Sequence, residues 1–169
     1  MIHLRSLEPE DLDLLYTIEN DPELWETSNN DTPYSRYALK QYIAAAQSIH
    51  ECGNLRLVIE IKNNEEDCYK AIGFIDLLNY SPLNARAEIG IALLKAYRGR
   101  GYGSSALQQI EKYAVSILRI HSLHAWVTTD NVASFSLFEK AGYKQAAKLP
   151  DWHFSMGKYK ETALFLKIF

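Results

Sequence analysis

Three glycines alternate along one short stretch, Gly99, Gly101 and Gly103, with Arg98 and Arg100 interleaved and Tyr102 and Ser104 beside them. Ahead of them, Ala85 to Leu94 reads as a strand; behind them, Leu107, Ile110, Ala114 and Ile117 recur at helical spacing. A strand, a glycine-rich turn and a helix in that order present successive backbone amides at a helix start. There the free donors and the positive end of the dipole suit an anion. Glycines leave no side chain in the way of an approaching group. Arg98 and Arg100 add charge that a phosphate or diphosphate engages through charge-assisted hydrogen bonds.

Spacing narrows the anion. A P-loop requires Lys and then Ser or Thr after its last glycine, and here Ser104-Ser105 follow Gly103, which argues against ATP or GTP chemistry. A dinucleotide turn requires glycine where Ser104 stands, an acid about 20 residues later, and a parallel unit near the N-terminus. On spacing alone the glycines also fit a tight strand-to-helix turn that binds nothing.

Two motifs in order carry a resemblance. The first is Arg98-Gly99-Arg100-Gly101-Tyr102-Gly103; the second is Asn131 followed by a helix ending in Glu139-Lys140-Ala141-Gly142-Tyr143. Together they resemble the GNAT superfamily of acyl-CoA-dependent N-acetyltransferases, and within it the branch of ribosomal-protein N-terminal and spermidine acetyltransferases. The resemblance spans essentially the whole chain. It implies acetyl-CoA as cosubstrate, with the backbone from Arg98 to Ser104 on the diphosphate. It implies Ile91, Ala92 and Leu93 pairing with the pantetheine amides, and Asn131 and Phe138 along the coenzyme arm. A strand edge offers unpaired donors and acceptors to an amide-bearing arm as it would to a peptide.

Acetyl transfer to an amine needs a neutral nucleophile, yet an alkyl ammonium titrates near ~10.4, so a proton acceptor is useful. Glu88 enters the glycine turn in an Ala-Glu-Ile context where family members carry a general base. By strand alternation it shares a face with Gly90 and Ala92. Glu88 also fits a structural pairing with Arg86 or another cation. The family often protonates the leaving thiolate with a tyrosine at the position of Phe138, and a phenyl ring donates no proton. A thiol near ~8.5 is an acceptable leaving group, whereas losing a positioned acid costs ~10²–10⁴ in rate. Tyr102, Ser134 and Ser136 are the hydroxyls nearby in sequence.

Trp25 and Tyr34 in the first loop, and Trp152, His153 and Phe154 before the last strand, are the aromatics available to wall an acceptor pocket. Glu23, Glu26, Asp31 and Asp151 beside them would attract a cationic amine. They serve equally well as core aromatics and solvated charges. His121 with His124, and His50 with Cys52, lack metal-ligand spacing, so no metal is expected. No Gly-x-Ser-x-Gly turn or Cys-His arrangement points to a covalent intermediate, which leaves direct attack of amine on thioester.

The elements that must position these residues can be read from periodicity. Ile2 to Leu7 alternates as a strand, and Glu8-Pro9-Glu10-Asp11 opens a helix to about Asn20. A loop through Pro33 carries Trp25 and leads to Tyr34, and Leu39, Tyr42, Ile43, Ala46 and Ile49 stripe a second helix. Leu55 to Ile61 predicts a half-buried strand, followed by a polar turn at Lys62 to Asp67. Tyr69 to Leu78 predicts its return strand, with an irregularity at Gly73. Helix, strand, helix and two strands come next, with Asp130 or Asn131 capping the second helix. The fold class is therefore α/β (α+β), a GNAT-like, mixed, mostly antiparallel sheet of six to seven strands with helices on both faces.

A length of 169 residues predicts one domain, residues 1–169. With 18 Lys and Arg against 21 Asp and Glu, there is no basic field for nucleic acid. The start lacks a signal-peptide pattern and no apolar run reaches the ~20 residues of a membrane span, so a soluble protein without membrane partners is expected. Two cysteines, Cys52 and Cys68, predict a reduced, cytoplasmic setting. The partner implied is a small-molecule or peptide amine, with homo-oligomerisation left open.

Overall fold

The computed structural model describes residues 2–28, 30–45, 48–63 and 68–169. The chain runs β1 (Ile2–Ser6), α1 (Leu12–Glu19), α2 (Pro22–Trp25), α3 (Arg36–Ala44), α4 (Ile49–Cys52), β2 (Leu55–Asn63) and β3 (Cys68–Ser81). It continues β4 (Arg86–Leu93), α5 (Tyr102–Ser116), β5 (Ser122–Thr128), α6 (Val132–Lys140), β6 (Lys144–Ser155) and β7 (Lys158–Ile168). The seven strands form one sheet in the order β1-β2-β3-β4-β5-β7-β6. Every neighbouring pair is antiparallel except β4 and β5. This is the mixed, mostly antiparallel sheet that the sequence predicts.

Two cores cover the sheet. Leu15, Ile18 and Leu39 from α1 and α3 pack on Val58 and Phe74. Leu107, Ile110 and Ala114 of α5 and Phe138 of α6 pack on Ile59, Ile75 and Ile89 from the other side. Adjacent residues of one strand, Val58 and Ile59, thus feed opposite cores, and both are fully buried. β2 is therefore buried on both faces, not on one as its alternation predicts.

The single helix expected from Leu39 to Ile49 is two. α3 ends where Ala45 turns to extended backbone (φ −67, ψ 148), and Ile49 opens α4. The reason lies in the layers: Leu39 joins the α1 core and Ile49 the α5 core, so no straight helix could serve both. Ala46 of the expected stripe, and residues 64–67 of the expected polar turn, lie outside the described residues. Trp25, expected in a loop, closes α2, which Pro22 opens and the Asp21 carboxylate caps by accepting from the Glu23 amide at 3.0 Å.

Two features of the sheet shape the cleft beside β4. Register passes from Ile59↔Gly73 to Glu60↔Ala71, so Ile72 is an extra residue in β3, the irregularity expected at Gly73. A Cβ on Gly73 would stand 2.2 Å from the Ala92 carbonyl oxygen, so only glycine lets β4 lie this close. The second feature is that β4 and β5 pair at three positions, Arg86↔Ser122, Ala87↔Leu123 and Glu88↔His124, and then part. Beyond Glu88, β4 stays with β3 as far as Leu93, and β5 stays with β7 as far as Thr128. Among the described residues no helix is long and apolar enough to cross a membrane.

Candidate active site

The parting of β4 from β5 opens a cleft of about 650 Å³. Its floor is β4 from Glu88 to Ala92, with Asp76 and Arg56 on neighbouring strands. Trp126 to Thr128 of β5 and Asn131, Ser134 and Phe138 form one side; Trp25, Tyr34, Trp152 and His153 form the rim. Among the described residues no strand pairs with the β5 side of β4 from Ile89 to Leu93.

At the mouth of the cleft the chain leaves β4 and turns into α5. Gly99 (φ +73) and Gly101 (φ +82) are both left-handed, and a Cβ at either meets no protein atom within 4 Å. The requirement for glycine here is thus conformational, together with whatever approaches from outside. Gly101 is the residue before the first helical position, and Ser105 is the first amide bonded back to it, at 3.1 Å from the Gly101 oxygen. By helix geometry the amides of Tyr102, Gly103 and Ser104 have no carbonyl within the helix. A Cβ on Gly103 would stand 3.6 Å from Ile91 and 3.8 Å from Leu137, ordinary contact distances, so here α5 lies against β4 and α6 without requiring glycine.

The two arginines differ. Arg100 and Ser104 are exposed. Arg98 folds back: its Nε donates to the Leu93 carbonyl at 2.9 Å, and its other nitrogens lie 3.7 Å from Glu23 and 3.9 Å from Asp21. Lys95, 2.6 Å from Glu23, holds that carboxyl below the usual range, with Arg98 contributing less. Tyr102 starts α5 with its ring 6.4 Å from that of Tyr97 and does not line the cleft.

Glu88 stands at the vertex where the strands part, half-buried, with 20% of its side chain exposed. Asn79 Nδ2 donates to its Oε2 at 3.1 Å, and His124 Nε2 lies 4.0 Å from the same oxygen. Burial holds the His124 imidazole below its ordinary range, against the pull of Glu88; Arg86 adds to the lowering. The partner of Glu88 is therefore an imidazole and an amide rather than the arginine that sequence proximity suggests.

Asn131 caps α6, its Oδ1 accepting from the Ser134 amide at 3.1 Å while it lines the cleft. Phe138 is 3% exposed, T-shaped to Tyr143 at 5.1 Å and stacked on Phe165 at 6.1 Å, and it reaches the cleft wall. Ser134 also lines the cleft, whereas Ser136 does not.

Trp25, Tyr34 and Trp152 converge on the rim from α2, the following loop and β6. Trp25 Nε1 donates to the Glu19 carbonyl at 2.6 Å, Asn20 bonds both backbone groups of Tyr34, and Trp152 stacks on Trp126 at 5.8 Å. His153 Nε2 donates to the Glu26 carbonyl at 3.1 Å, joining the two rim segments. Phe154 instead lies against Tyr159, away from the cleft. The acids expected near the rim, Glu23, Glu26, Asp31 and Asp151, do not line it; those that do are Glu19, Asp76 and Glu88. Arg56 is the guanidinium among them, bonded twice to Asp76 and once to Glu19. Among the described residues three carboxylates stand against one guanidinium, which makes the cleft acidic, and aromatic rings at its rim add cation-binding faces. The one signal for this trio in the sequence is a residue of each sign, Arg56 and Asp76, on adjacent apolar strands; Glu19, 37 residues from Arg56, carries none.

Residues 2–144 match the model of the Acetyltransferase (GNAT) domain. The chain is 23% identical over 160 residues to a spermidine N(1)-acetyltransferase of Vibrio cholerae, covering 94% of this chain and 88% of that one. It is 27% identical over 164 residues to an uncharacterized N-acetyltransferase, p20, of Bacillus licheniformis, covering 96% and 89%. In fold it is similar to the crystal structure of Vibrio cholerae spermidine N-acetyltransferase in complex with CoA and spermine. That likeness has a TM-score of 0.87 at 21% identity, covering 99% of this chain and 95% of the other. With the family model spanning most of its length, the chain belongs to the GNAT acetyltransferases.

Proposed function

We propose that the chain, as one domain over residues 1–169, transfers the acetyl group of acetyl-CoA to a primary amine by direct attack. The acceptor is a small polyamine-like amine or a protein N-terminus. The observation that carries this is the parting of β4 from β5, which sets an open strand edge between a helix start rich in free amides and a carboxylate. In this reading the amides of residues 99–104 hold the diphosphate, and the β4 edge from Ile91 to Leu93 aligns the pantetheine arm. Bound acetyl-CoA supplies an activated thioester; Glu88 takes the proton of the incoming ammonium.

The acidic floor of Glu19, Asp76 and Glu88, under rim aromatics, supports the small polyamine over the peptide, as do the relatives named for spermidine. The test is thiol release from acetyl-CoA with a panel of polyamines, aminoglycosides and N-terminal peptides. Turnover with spermidine or spermine above the peptides is expected; release with peptides alone would reverse the choice of acceptor.

Phe138 favours a second reading, a noncatalytic acyl-CoA-binding module, because the side chain at the expected acid position has no hydroxyl. Binding of acetyl-CoA without thiol release for any amine of the panel would establish it.

A further inference from the structure

We propose that Asn79 and His124 act through Glu88 in acetyl transfer: Asn79 fixes the carboxylate, and His124 receives its proton and passes it to solvent. This rests on Glu88 as the base of the proposed reaction. Both neighbours address the same oxygen. Asn79 Nδ2 donates to Oε2 at 3.1 Å, and His124 Nε2 stands 4.0 Å from Oε2, a gap that a single water spans. Glu88 itself lines the cleft, where an ammonium would meet its carboxylate.

The placement is local and specific. His124 is the register partner of Glu88 in the last pair before the strands part, so the imidazole arrives at the vertex from β5. The edge-on Trp126 ring at 6.5 Å restrains it. Asn79 sits beside Leu78, the β3 partner of Glu88, in a left-handed conformation (φ 52), and its amide is held by Asn54 Oδ1 at 3.0 Å. Asparagine is among the residues that adopt that region most readily.

The charged groups facing His124 are Glu88 and Arg86, both on β4; its β7 register partner, Leu166, and Asn79 on β3 carry no charge. Burial keeps the imidazole neutral, the form able to accept a proton. One ammonium N–H bond breaks as an O–H bond forms on Glu88, and that proton moves to Nε2 of His124 and then to bulk water. The amine lone pair forms the C–N bond, the C–S bond breaks with its electron pair on sulfur, and the second proton lost by nitrogen goes to the thiolate.

The test compares the wild-type chain with Glu88→Gln, His124→Ala, His124→Gln and Asn79→Ala, using spermidine, acetyl-CoA and thiol release across the neutral pH range. Calorimetric binding of CoA reports the fold, and His124→Gln stands in if the alanine variant fails to fold. Expected is a kcat loss of about tenfold or more for both His124 variants with KM for acetyl-CoA unchanged. One ionisation should vanish from the acid limb of kcat/KM, and free imidazole should restore His124→Ala in proportion to its unprotonated fraction. Asn79→Ala should lower kcat and keep that ionisation. Wild-type kcat and pH profile in the His124 variants, with Glu88→Gln inactive, would overturn the relay alone. Full activity in Glu88→Gln would instead overturn the base beneath it.

Discussion

The Arg56 guanidinium forks the Asp76 carboxylate across the β2–β3 ladder, Nε to Oδ1 and Nη2 to Oδ2, both at 2.8 Å. Asp76, with Glu19, holds Arg56 charged against the opposing effect of its burial. The bond from Arg56 to Glu19 ties α1 to the sheet directly under the cleft. Breaking a buried pair strands a charge, which costs about 3–5 kcal/mol. Asp76→Asn should therefore lower the melting temperature by roughly 6 °C or more, since a chain of this size loses ~2–4 °C per kcal/mol. A thermal scan checks it, and a melting temperature within a degree of wild type would show that Glu19 alone satisfies Arg56.

Stability should depend on pH through His124. Its folded imidazole is held below the ordinary value of 6.5, chiefly by burial. As pH falls through about 6.5 the unfolded chain binds a proton that the folded chain refuses, so the unfolded state gains. The contribution is complete above that pH and is lost below it, until the folded imidazole itself titrates. His124→Gln should flatten this part of a plot of unfolding free energy against pH. Superimposable acid limbs for the two proteins would contradict the burial effect.

The strands, the α5 turn and the α6 cap were legible because each is written locally, in alternation, glycine spacing and a single Asn at a helix start. What decides the cleft is not local. Three register pairs hold β4 to β5, and no pattern in Ile89 to Leu93 or Ala125 to Thr128 announces that they part. Glu19, Arg56 and Asp76 meet only once α1, β2 and β3 are assembled. The helical stripe misled at Ile49 because periodicity records that a residue is buried, not which of two cores receives it.

Phe138→Tyr should place a hydroxyl at the cleft wall, at the position where the phenyl ring itself donates no proton. Ring volume barely changes, and the stack on Phe165 and the contact with Tyr143 can persist. A gain in kcat of about tenfold or more is expected, below the full ~10²–10⁴ of an optimally placed acid. Steady-state thiol release measures it. Unchanged kcat with a lower melting temperature would show that the new hydroxyl is buried without a partner.

Gly101 tests the turn. At φ +82 any side chain is strained, by about 1–2 kcal/mol, although a Cβ there would meet nothing within 4 Å among the described residues. Gly101→Asn should be the mildest variant, because asparagine tolerates the left-handed region, and Gly101→Val should abolish CoA binding by obstructing the side from which a diphosphate arrives. Titration calorimetry of the folded variants gives the order. Unchanged affinity in Gly101→Val would remove the diphosphate from this turn.

Gly73 makes the complementary case, a glycine demanded by packing rather than by backbone angle. A methyl group there would meet the Ala92 oxygen at 2.2 Å and Leu93 Cδ2 at 2.8 Å, and the first of these is backbone that cannot rotate aside. Gly73→Ala must push the end of β4 away from β3, at a cost of about 1–3 kcal/mol for an overpacked site. That end is the stretch proposed to align the pantetheine arm, so stability and CoA affinity should fall together, whereas Gly101→Asn should change affinity with a smaller effect on stability. Paired melting curves and CoA titrations on the two variants separate these effects. If Gly73→Ala melted lower yet bound CoA as tightly as wild type, the β4 edge beyond Ile91 would have no part in holding the coenzyme.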